Sequence, residues 1–322
     1  MIGTDLSTAR RWLETGNVVG IPTETVYGLA ANALDTEAIL TIFRVKNRPA
    51  FDPLIVHTDS LEKVRQLVRE LPPIAEQLAR TCWPGPLTLL LPKRDYIPDL
   101  TTSGLDTVAV RIPNHSLTIS LLQSLDFPLA APSANPFGYI SPTTAQHVAD
   151  QLGDLVPYIV DGGPCPVGVE STIIGFDQNG QVIVYRLGGM AVEQLEAITG
   201  PLQLRTSTSN PAMHPQAPGM LTSHYAPRKP LTLLAAGEVP PVPGTSPAEL
   251  VGVLTFSGTL PGIPAANQLV LAPSGNVLDA ARNLFAYLRL LDALPVTQLY
   301  AQLVPDEGLG RAVNDRLRRA AA

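Results

Sequence analysis

The chain has 322 residues, a formal net charge of −6 and an isoelectric point near 5.4. Hydrophobic residues make up 45% and charged residues 16%, which is enough apolar material for buried cores and excludes a wholly disordered chain. The acidic balance argues against a protein whose main task is to bind nucleic-acid backbones.

Along the first 200 residues, segments with helical and strand periodicity alternate. Apolar spacing predicts helices over 4–16, 35–45, 60–70, 73–82, 116–125, 143–152 and 191–199. Short apolar runs predict strands over 18–22, 54–57, 87–91, 108–112, 129–131, 158–161, 171–174 and 182–185. Interleaved elements of this kind indicate an α/β fold with a mixed sheet.

A change of composition after residue 201 divides the chain into three parts. Residues 1–202 are predicted to form the first domain, 203–230 a polar, proline-rich linker, and 231–322 a second domain. In the second domain we expect strands over 231–235 and 250–256, helices over 277–292 and 309–321, and a loop over 237–247. This pattern favours a smaller Rossmann-like α/β unit.

The cysteine content and the N-terminal segment bear on location. Two cysteines, Cys82 and Cys165, are too few for a disulfide framework or a four-cysteine zinc site. Charged residues interrupt the first 20 positions, so no secretory signal is expected, and no run of 18 or more apolar residues predicts a membrane span. We therefore expect a cytoplasmic protein, and we expect it to be a monomer.

Small polar side chains follow several predicted strands, which is where ligands bind to α/β sheets. Thr23 and Thr25 follow the first of these strands, while Ser133 and Asn135 follow the strand over 129–131. Ser171 lies at the start of a further strand. Each position alone also fits an ordinary capped turn, but together they predict a polar ligand site.

Cationic side chains occupy comparable positions. If the segment before Pro49 is extended, Lys46 and Arg48 project to one side as a fork for a polyanion such as triphosphate; a solvated surface pair is the alternative. Arg111, inside an apolar strand, must face a carboxylate or a bound anion. Arg186 closes another strand, and a lone histidine such as His57 is usually structural. With no evident nucleophile–base pair, the site suits charge neutralisation, as in phosphoryl or nucleotidyl transfer.

Seven segments of the first domain resemble, in chain order, the threonylcarbamoyl-AMP synthases of the YrdC/YwlC/Sua5 family. They are PTETVYGLAANA (22–33), KNRPAFDPLIVH (46–57), WPGPLTLLL (83–91), TVAVRIPNH (107–115), APSAN (131–135), SPTTAQHV (141–148) and GVESTII (168–174). The linker segment APGMLTSHYAP (217–227) and the segments NLFAYLRLLDAL (283–294) and EGLGRAVNDRLRRAA (307–321) resemble the long, Sua5 form. The stretch SANPFGYIS (133–141) departs from the family pattern at 136–140.

The resemblance implies a twisted mixed-sheet YrdC-like domain with a concave, positive pocket. It also implies that L-threonine, bicarbonate or CO2, and ATP form L-threonylcarbamoyladenylate with release of pyrophosphate, for the threonylcarbamoyl modification of adenosine 37 in tRNA. Mg²⁺ is expected to enter with the ATP phosphates, not through a protein metal site. Downstream threonylcarbamoyl-transfer proteins, not this chain, are expected to contact the tRNA.

The resemblance also implies roles for individual residues. The implied catalytic residues are Lys46, Arg48, Ser133 and Asn135. The implied ATP contacts are Arg48, Asp52, Thr107, Ser133, Ser141, Arg186 and Tyr225. The implied L-threonine contacts are Thr25, His57, Arg111, Ala131 and Ser171. The linker, through Tyr225, is expected to fold over the pocket and exclude water.

Two other functions stay open at this point. A related domain occurs in carbamoyltransferases that form carbamoyladenylate, but those chains add cysteine-rich zinc fingers, for which this chain has too few cysteines. The second is an RNA-binding module without catalysis, which could bind duplex RNA by shape. The negative net charge and the scarcity of aromatic residues count against it.

Overall fold

In a computed structural model, residues 1–205, 216–220, 223–235, 238–240 and 251–322 are described. The first sheet contains β1 (Ile2–Gly3), β2 (Val19–Ile21), β3 (Gly28–Asn32), β4 (Ile55–His57), β5 (Leu87–Pro92), β6 (Thr107–Arg111), β7 (Leu129–Ala130), β8 (Tyr158–Val160), β9 (Thr172–Phe176), β10 (Val182–Arg186) and β11 (Gln203–Leu204). The helices of this part are α1 (Leu6–Glu14), α2 (Thr36–Lys46), α3 (Leu61–Leu67), α4 (Pro73–Cys82), α5 (Asp99–Thr102), α6 (Ser116–Gln123), α7 (Ala145–Leu152) and α8 (Val192–Thr199).

The helices begin where short polar side chains can cap them. The carboxylate of Asp5 accepts hydrogen bonds from the amides of Ser7 and Thr8 at the start of α1. Asp35 does the same for α2, and the Thr144 hydroxyl caps α7. Each cap satisfies backbone donors that the helix itself leaves unpaired.

Within the described residues, the eleven strands form one mixed sheet in the order β1-β8-β2-β3-β7-β4-β6-β5-β9-β10-β11. At its centre β4 pairs in parallel with β6, with His57 opposite Arg111, and antiparallel with β7. This register brings the C-terminal ends of β4 and β6 side by side. Because β7 runs the opposite way, the residues that follow it lie toward the start of β4, where the Ala131 amide donates to the Ile55 carbonyl.

The two faces of the sheet are covered differently. Leu89 and Leu91 of β5 contribute to the large core formed with the helices. Leu90, between them, faces the other side and joins a cluster that includes Ala217 and Met220 of the linker. The linker thus covers the sheet face that the helices leave open.

The second sheet lies in the C-terminal part and is wholly parallel. Its elements are β12 (Leu231–Leu234), β13 (Val251–Thr255), β14 (Gln268–Val270), α9 (Val277–Ala293), β15 (Gln298–Gln302) and α10 (Gly310–Ala320). Among the described residues the strand order is β12-β15-β13-β14. A mixed α/β first part followed by a smaller, parallel α/β unit confirms the predicted fold class.

The hydrophobic core of the C-terminal part continues into the first domain. Leu284, Phe285 and Leu317 of α9 and α10 share one cluster with Val26 and Tyr225. Val26 lies beside the predicted site, and Tyr225 lies in the linker. The second domain is therefore in direct contact with the region where substrate is expected.

Most predicted helices and strands are present within a few residues of the expected bounds. The apolar pattern of the sequence does not predict the strands β1, β11, β14 and β15, the single-turn helix α5, or β3, whose small residues GLAAN give little apolar signal. Of the loop predicted over 237–247, residues 238–240 are irregular and residues 237 and 241–247 lie outside the described residues. No helix within the described ranges has both the length and the hydropathy to cross a membrane.

The expected extended segment at Lys46 is wrong. Lys46 is the last residue of α2, and Asn47 adopts a left-handed conformation with φ of 51° as the helix C-cap. A left-handed residue at a helix end reverses the chain direction. Lys46 and Arg48 consequently contact different partners and do not form a two-pronged fork.

Candidate active site

The predicted residues converge on a cavity at the ends of the central strands. The empty space between its walls is about 590 Å³, a figure that includes open solvent and is not an enclosed volume. Nine of the residues assigned to the site line it: Thr25, Arg48, His57, Arg111, Ala131, Ser133, Ser171, Arg186 and Tyr225. Residues far apart in the chain, assigned to one site from the sequence, thus lie around one cavity.

A tight turn after β2 forms one wall of the cavity. The Thr23 hydroxyl donates to the Val26 carbonyl at 2.6 Å and accepts from the amides of Thr25 and Val26. The hydroxyls of Thr23 and Thr25 lie 2.8 Å apart, and both side chains are buried. The turn therefore holds the Thr25 hydroxyl in a fixed position beside the cavity.

Arg111 and His57 lie side by side at the ends of β6 and β4. Arg111 Nη2 is 2.7 Å from Glu24 Oε1, so a buried carboxylate provides the counter-charge that the sequence required. His57 Nδ1 is 3.1 Å from the Ile55 carbonyl. Burial, reinforced by the Arg111 charge, lowers the pKa of His57 to about 3. The ring is neutral, and because the Ile55 carbonyl can only accept, Nδ1 carries the proton and Nε2 is an acceptor.

Arg186 connects the Ser171 segment with the linker. Its Nε donates to the Ser171 carbonyl at 3.0 Å, its Nη2 to the Ser171 hydroxyl at 3.0 Å, and its Nη1 to the Pro218 carbonyl at 3.3 Å. The Ser171 hydroxyl is also 2.7 Å from the Thr88 hydroxyl. Ser171, directly before β9, is therefore held by side chains on β5 and β10, the two strands that flank β9.

Buried carboxylates balance most of the arginines near the cavity. Arg48 is 2.9 Å from Asp52, and Arg111 is paired with Glu24. Within the described ranges, Arg186 has no carboxylate within 4.0 Å. Its charge is therefore the one most directly available to an anionic ligand.

Lys46 does not line the cavity but lies behind the Ser133 loop. Its Nζ is 2.5 Å from the carbonyls of both Ser133 and Asn135, and only 1% of its surface is exposed. Burial lowers the pKa of Lys46 well below its ordinary value, and the Arg48 charge lowers it further while Asp52 opposes this. The ammonium group thus fixes the loop that presents Ser133.

Asn135 has a similar supporting position. Its side-chain amide donates to the carbonyls of Pro136 at 2.9 Å and Tyr139 at 2.8 Å. Its Oδ1 is buried and has no hydrogen-bond partner among the residues that the structure describes. Asn135 shapes the loop under the cavity rather than its wall. The altered residues at 136–140 belong to this loop.

Three other predicted ATP contacts also lie away from the cavity wall. Asp52 is buried beside Arg48, and the Ser141 hydroxyl donates to Glu170 Oε1 at 2.5 Å. Thr107, at the start of β6, lines a separate cavity that Gln216 of the linker also borders. Of these three, Asp52 and Ser141 hold residues that do line the main cavity.

The linker covers one side of the cavity. Pro218, Gly219, His224 and Tyr225 all line it. Tyr225 is 1% exposed and has a φ of 66°, a left-handed conformation that is uncommon for a non-glycine residue. Its ring stacks on Phe285 of α9 with centroids 5.6 Å apart. The linker is thus anchored on the C-terminal domain while it faces the cavity.

Three further residues of the cavity wall, Glu170, Gly219 and His224, belong to the quoted segments but were not assigned to the site. The available signal was that Glu170 and His224 directly precede Ser171 and Tyr225. What it could not show is which side chains of each segment turn inward.

An α/β sheet with hydroxyls and arginines gathered at its strand ends is typical of an enzyme that binds an anionic ligand. Residues 11–188 match the family model Sua5_yciO_yrdC, described as telomere recombination, and residues 190–322 match the model of the threonylcarbamoyl-AMP synthase C-terminal domain. The chain therefore belongs to the Sua5/YrdC family.

Individual relatives are similar over nearly the full length. The threonylcarbamoyl-AMP synthase of Pyrococcus abyssi is 40% identical, covering 97% of this chain and 92% of the relative. That of Bacillus subtilis is 38% identical, covering 98% and 92%. The crystal structure of P. abyssi Sua5 complexed with L-threonine matches with a TM-score of 0.88 and 37% identity, covering 100% of this chain and 97% of that chain.

Proposed function

We propose that the protein is an L-threonylcarbamoyladenylate synthase, which uses L-threonine, bicarbonate or CO2, and ATP, and releases pyrophosphate. The observation that carries the proposal is the cavity itself. It gathers hydroxyl groups, a neutral histidine and arginines under a linker tyrosine. The full-length similarity to a Sua5 protein complexed with L-threonine supports the choice of amino acid.

The reaction forms an N–C bond and then an O–P bond. The amine of threonine adds to CO2, which opens one C=O π bond, and releases the N–H proton to solvent, which gives a carbamate. A carbamate oxygen then attacks the α-phosphorus of ATP, and the bond to pyrophosphate breaks. Because both reactants are anions, the site must neutralise charge and hold them in line.

The turn after β2 and the ends of β4 and β6 would bind L-threonine. Thr25, Ala131 and Ser171 would contact its polar and methyl groups, and the Arg111 guanidinium would attract its carboxylate or the new carbamate. His57 Nε2, as a neutral acceptor, would receive a hydrogen bond from the substrate. A site that hydrogen-bonds a substrate hydroxyl discriminates strongly against analogues that lack it.

The nucleotide would lie toward Arg48, Ser133 and Arg186. Arg48 and Arg186 provide guanidinium groups that can donate to phosphate oxygens in pairs. Lys46 and Asn135 would act indirectly, by holding the Ser133 loop, and Asp52 and Ser141 by holding Arg48 and Glu170. Tyr225 would cover the nucleotide and protect the labile mixed anhydride from water. Thr107 would contact the nucleotide only if the ligand extends beyond the main cavity.

Mg²⁺ would bind with the ATP phosphates. Within the described residues, no group of three or more histidine, cysteine, aspartate or glutamate side chains could hold a metal ion. Triphosphate oxygens are hard ligands that Mg²⁺ prefers, so the nucleotide would bring the ion to the site. When bound, it neutralises phosphate charge; the chain's own arginines orient the triphosphate.

The proposal extends to location and partners. Both cysteines are free and buried, which suits a reducing compartment such as the cytoplasm. The product would pass to the proteins that transfer the threonylcarbamoyl group to tRNA, while the net acidic chain acts as a monomer without contacting tRNA.

The experiment is pyrophosphate release from ATP with Mg²⁺ and bicarbonate, with and without L-threonine. We expect release that depends on threonine and is weak with serine. Release that ignores threonine would favour the carbamoyltransferase alternative. A folded protein that releases no pyrophosphate but shifts duplex RNA in a salt-sensitive way would favour the RNA-binding alternative.

A further inference from the structure

The side chain of Arg316, on helix α10 of the C-terminal domain, is fully buried against the wall of the cavity. Its side chain has 0% relative exposure and is the largest fully buried side chain of the described residues. A guanidinium group in such a position is costly unless each of its donors is used. Its partners therefore show what it supports.

Each of the three side-chain nitrogens of Arg316 donates to a different residue. Nε donates to Glu170 Oε2 at 2.9 Å, Nη2 donates to the Leu187 carbonyl at 2.8 Å, and Nη1 donates to Asp315 Oδ2 at 2.6 Å. The centre of the guanidinium lies 4.9 Å from the centroid of the Tyr225 ring. One side chain of the second domain thus contacts two segments of the first domain and the linker.

These segments carry residues that line the cavity. Glu170 lines it directly, precedes Ser171, and accepts the Ser141 hydroxyl on its other oxygen at 2.5 Å. Leu187 directly follows Arg186 in the chain. Tyr225, whose ring contacts the guanidinium, belongs to the part of the linker that lines the cavity.

We propose that Arg316 is a positioning residue for the reaction: it fixes the cavity wall formed by Glu170 and Tyr225 in the geometry that binds the nucleotide. The nucleotide in this proposal rests on the proposed function, whereas the structural role of Arg316 does not depend on it. It gives the C-terminal domain a role in the active site through a single side chain.

Electrostatics agree with this arrangement. Burial alone would lower the pKa of Arg316, but the groups of Tyr225, Glu170 and Asp315 outweigh it and raise the pKa above its ordinary value. Arg316 therefore stays charged. Glu170, which would otherwise repel a triphosphate, is neutralised by a cation that does not itself line the cavity.

The test compares Arg316→Met and Arg316→Lys with Arg311→Met. Arg311 is a matched control, because it lies on the same helix and forms an interdomain ion pair with Glu193 at 3.0 Å without lining the cavity. Lysine keeps the charge beside Glu170 but cannot donate in three fixed directions.

We expect Arg316→Met to raise the KM for ATP at least tenfold, with a smaller change in the KM for L-threonine, and Arg316→Lys to give an intermediate effect. Arg311→Met should stay within about twofold of the unsubstituted protein. A purely structural role would instead lower kcat by reducing the folded fraction and leave KM unchanged. Folded Arg316→Met protein with an unchanged KM for ATP would overturn the proposal. If Arg316→Met does not fold, Arg316→Lys is decisive by the same criterion.

A second readout does not depend on the reaction. Hydrogen exchange of residues 223–227, measured without ligand, should be at least tenfold faster in either Arg316 variant than in Arg311→Met. Unchanged exchange would show that Arg316 does not hold Tyr225, whatever the activity. If exchange is faster but no variant or unsubstituted protein releases pyrophosphate, the positioning role stands and the proposed function fails.

Discussion

Asp52 Oδ2 lies 2.9 Å from Arg48 Nη2, and both side chains are buried at the edge of the cavity. Arg48 also donates to the carbonyls of Asp52 at 3.1 Å and Pro53 at 2.8 Å. Residues 48–53 thus form a turn in which the backbone carbonyls of residues 52 and 53 accept from the Arg48 side chain. Arg48 is held at the cavity wall in one orientation, with Asp52 as its counter-ion.

Arg48→Ala should reduce kcat/KM for pyrophosphate release by at least about a hundredfold, or about 3 kcal/mol, because a preorganised charged donor is lost. Asp52→Asn is the matched variant: it keeps Arg48 and the shape of the carboxylate, so its effect should be smaller. An Arg48→Ala enzyme with unchanged kcat/KM would remove Arg48 from the triphosphate site.

Lys46 should stabilise the loop that carries Ser133, so its replacement should lower the free energy of unfolding. Lys46→Met leaves the carbonyls of Ser133 and Asn135 without their donor, which typically costs about 1–3 kcal/mol of stability. Lys46→Arg forces a larger, planar group into a fully buried space and should also destabilise. Urea unfolding measures both, with pyrophosphate release as the second readout.

Lys63→Arg is the control for Lys46, because Lys63 is partly exposed and pairs with Asp59 at 3.0 Å, a contact that arginine can keep. It should change the free energy of unfolding by less than about 0.5 kcal/mol. Equal stability of Lys46→Met and the unsubstituted protein would contradict the supporting role of Lys46.

The residues assigned to the site from the sequence lie around one cavity, although their strands do not all run the same way. His57 and Arg111 end the parallel strands β4 and β6 and lie side by side, whereas Ser133 follows β7, which is antiparallel to β4. The sequence could not show in which direction each side chain points. Lys46 is the last residue of α2 and Asn47 takes a left-handed conformation, so Lys46 and Arg48 contact different partners.

Contacts between segments far apart in the sequence could not be predicted either. Tyr139, in the loop that departs from the family pattern, donates to Asp292 Oδ2 of α9 at 2.6 Å. Arg289 of the same helix donates to the carbonyls of Ile140 and Ser141. No local sequence pattern predicts such pairs, because their residues are about 150 positions apart. The loop with the unusual sequence thus docks on the second domain.

Stability should fall as the pH drops from about 6.5 toward 4. Burial lowers the pKa of His57 to about 3 and that of His147 to about 4, with nearby arginine charges adding to the effect. Below the ordinary value of 6.5 the unfolded chain binds protons that the folded chain does not, so the free energy of unfolding rises with pH in this window.

Asparagine variants separate the histidines from other titrating groups. In His57→Asn and His147→Asn, an amide can replace Nδ1 in its contacts with the Ile55 carbonyl and the Thr143 amide. Chemical denaturation of the double variant at several pH values should show a shallower slope between pH 6.5 and 4. An unchanged slope would mean that these histidines titrate normally.

The last prediction concerns the contact between the linker and Arg186. Gly219 has a φ of +81°, and a Cβ at this position would lie 2.9 Å from the Tyr225 hydroxyl and 3.1 Å from Arg186 Cδ. Gly219→Ala should therefore displace Tyr225 or Arg186 in addition to straining the backbone. We expect the KM for ATP to rise at least tenfold in pyrophosphate-release assays.

Gly180→Ala separates the two effects. Gly180 has a similar φ of +78°, but within the described part of the chain a Cβ there would have no neighbour within 4 Å. This variant should lose about 1–2 kcal/mol of stability from the left-handed backbone, with kcat and KM unchanged. If Gly219→Ala loses stability to the same extent and keeps its KM for ATP, the linker covers the cavity without shaping the nucleotide site. A selective rise in KM with Gly219→Ala would instead tie the Tyr225 and Arg186 contact directly to nucleotide binding.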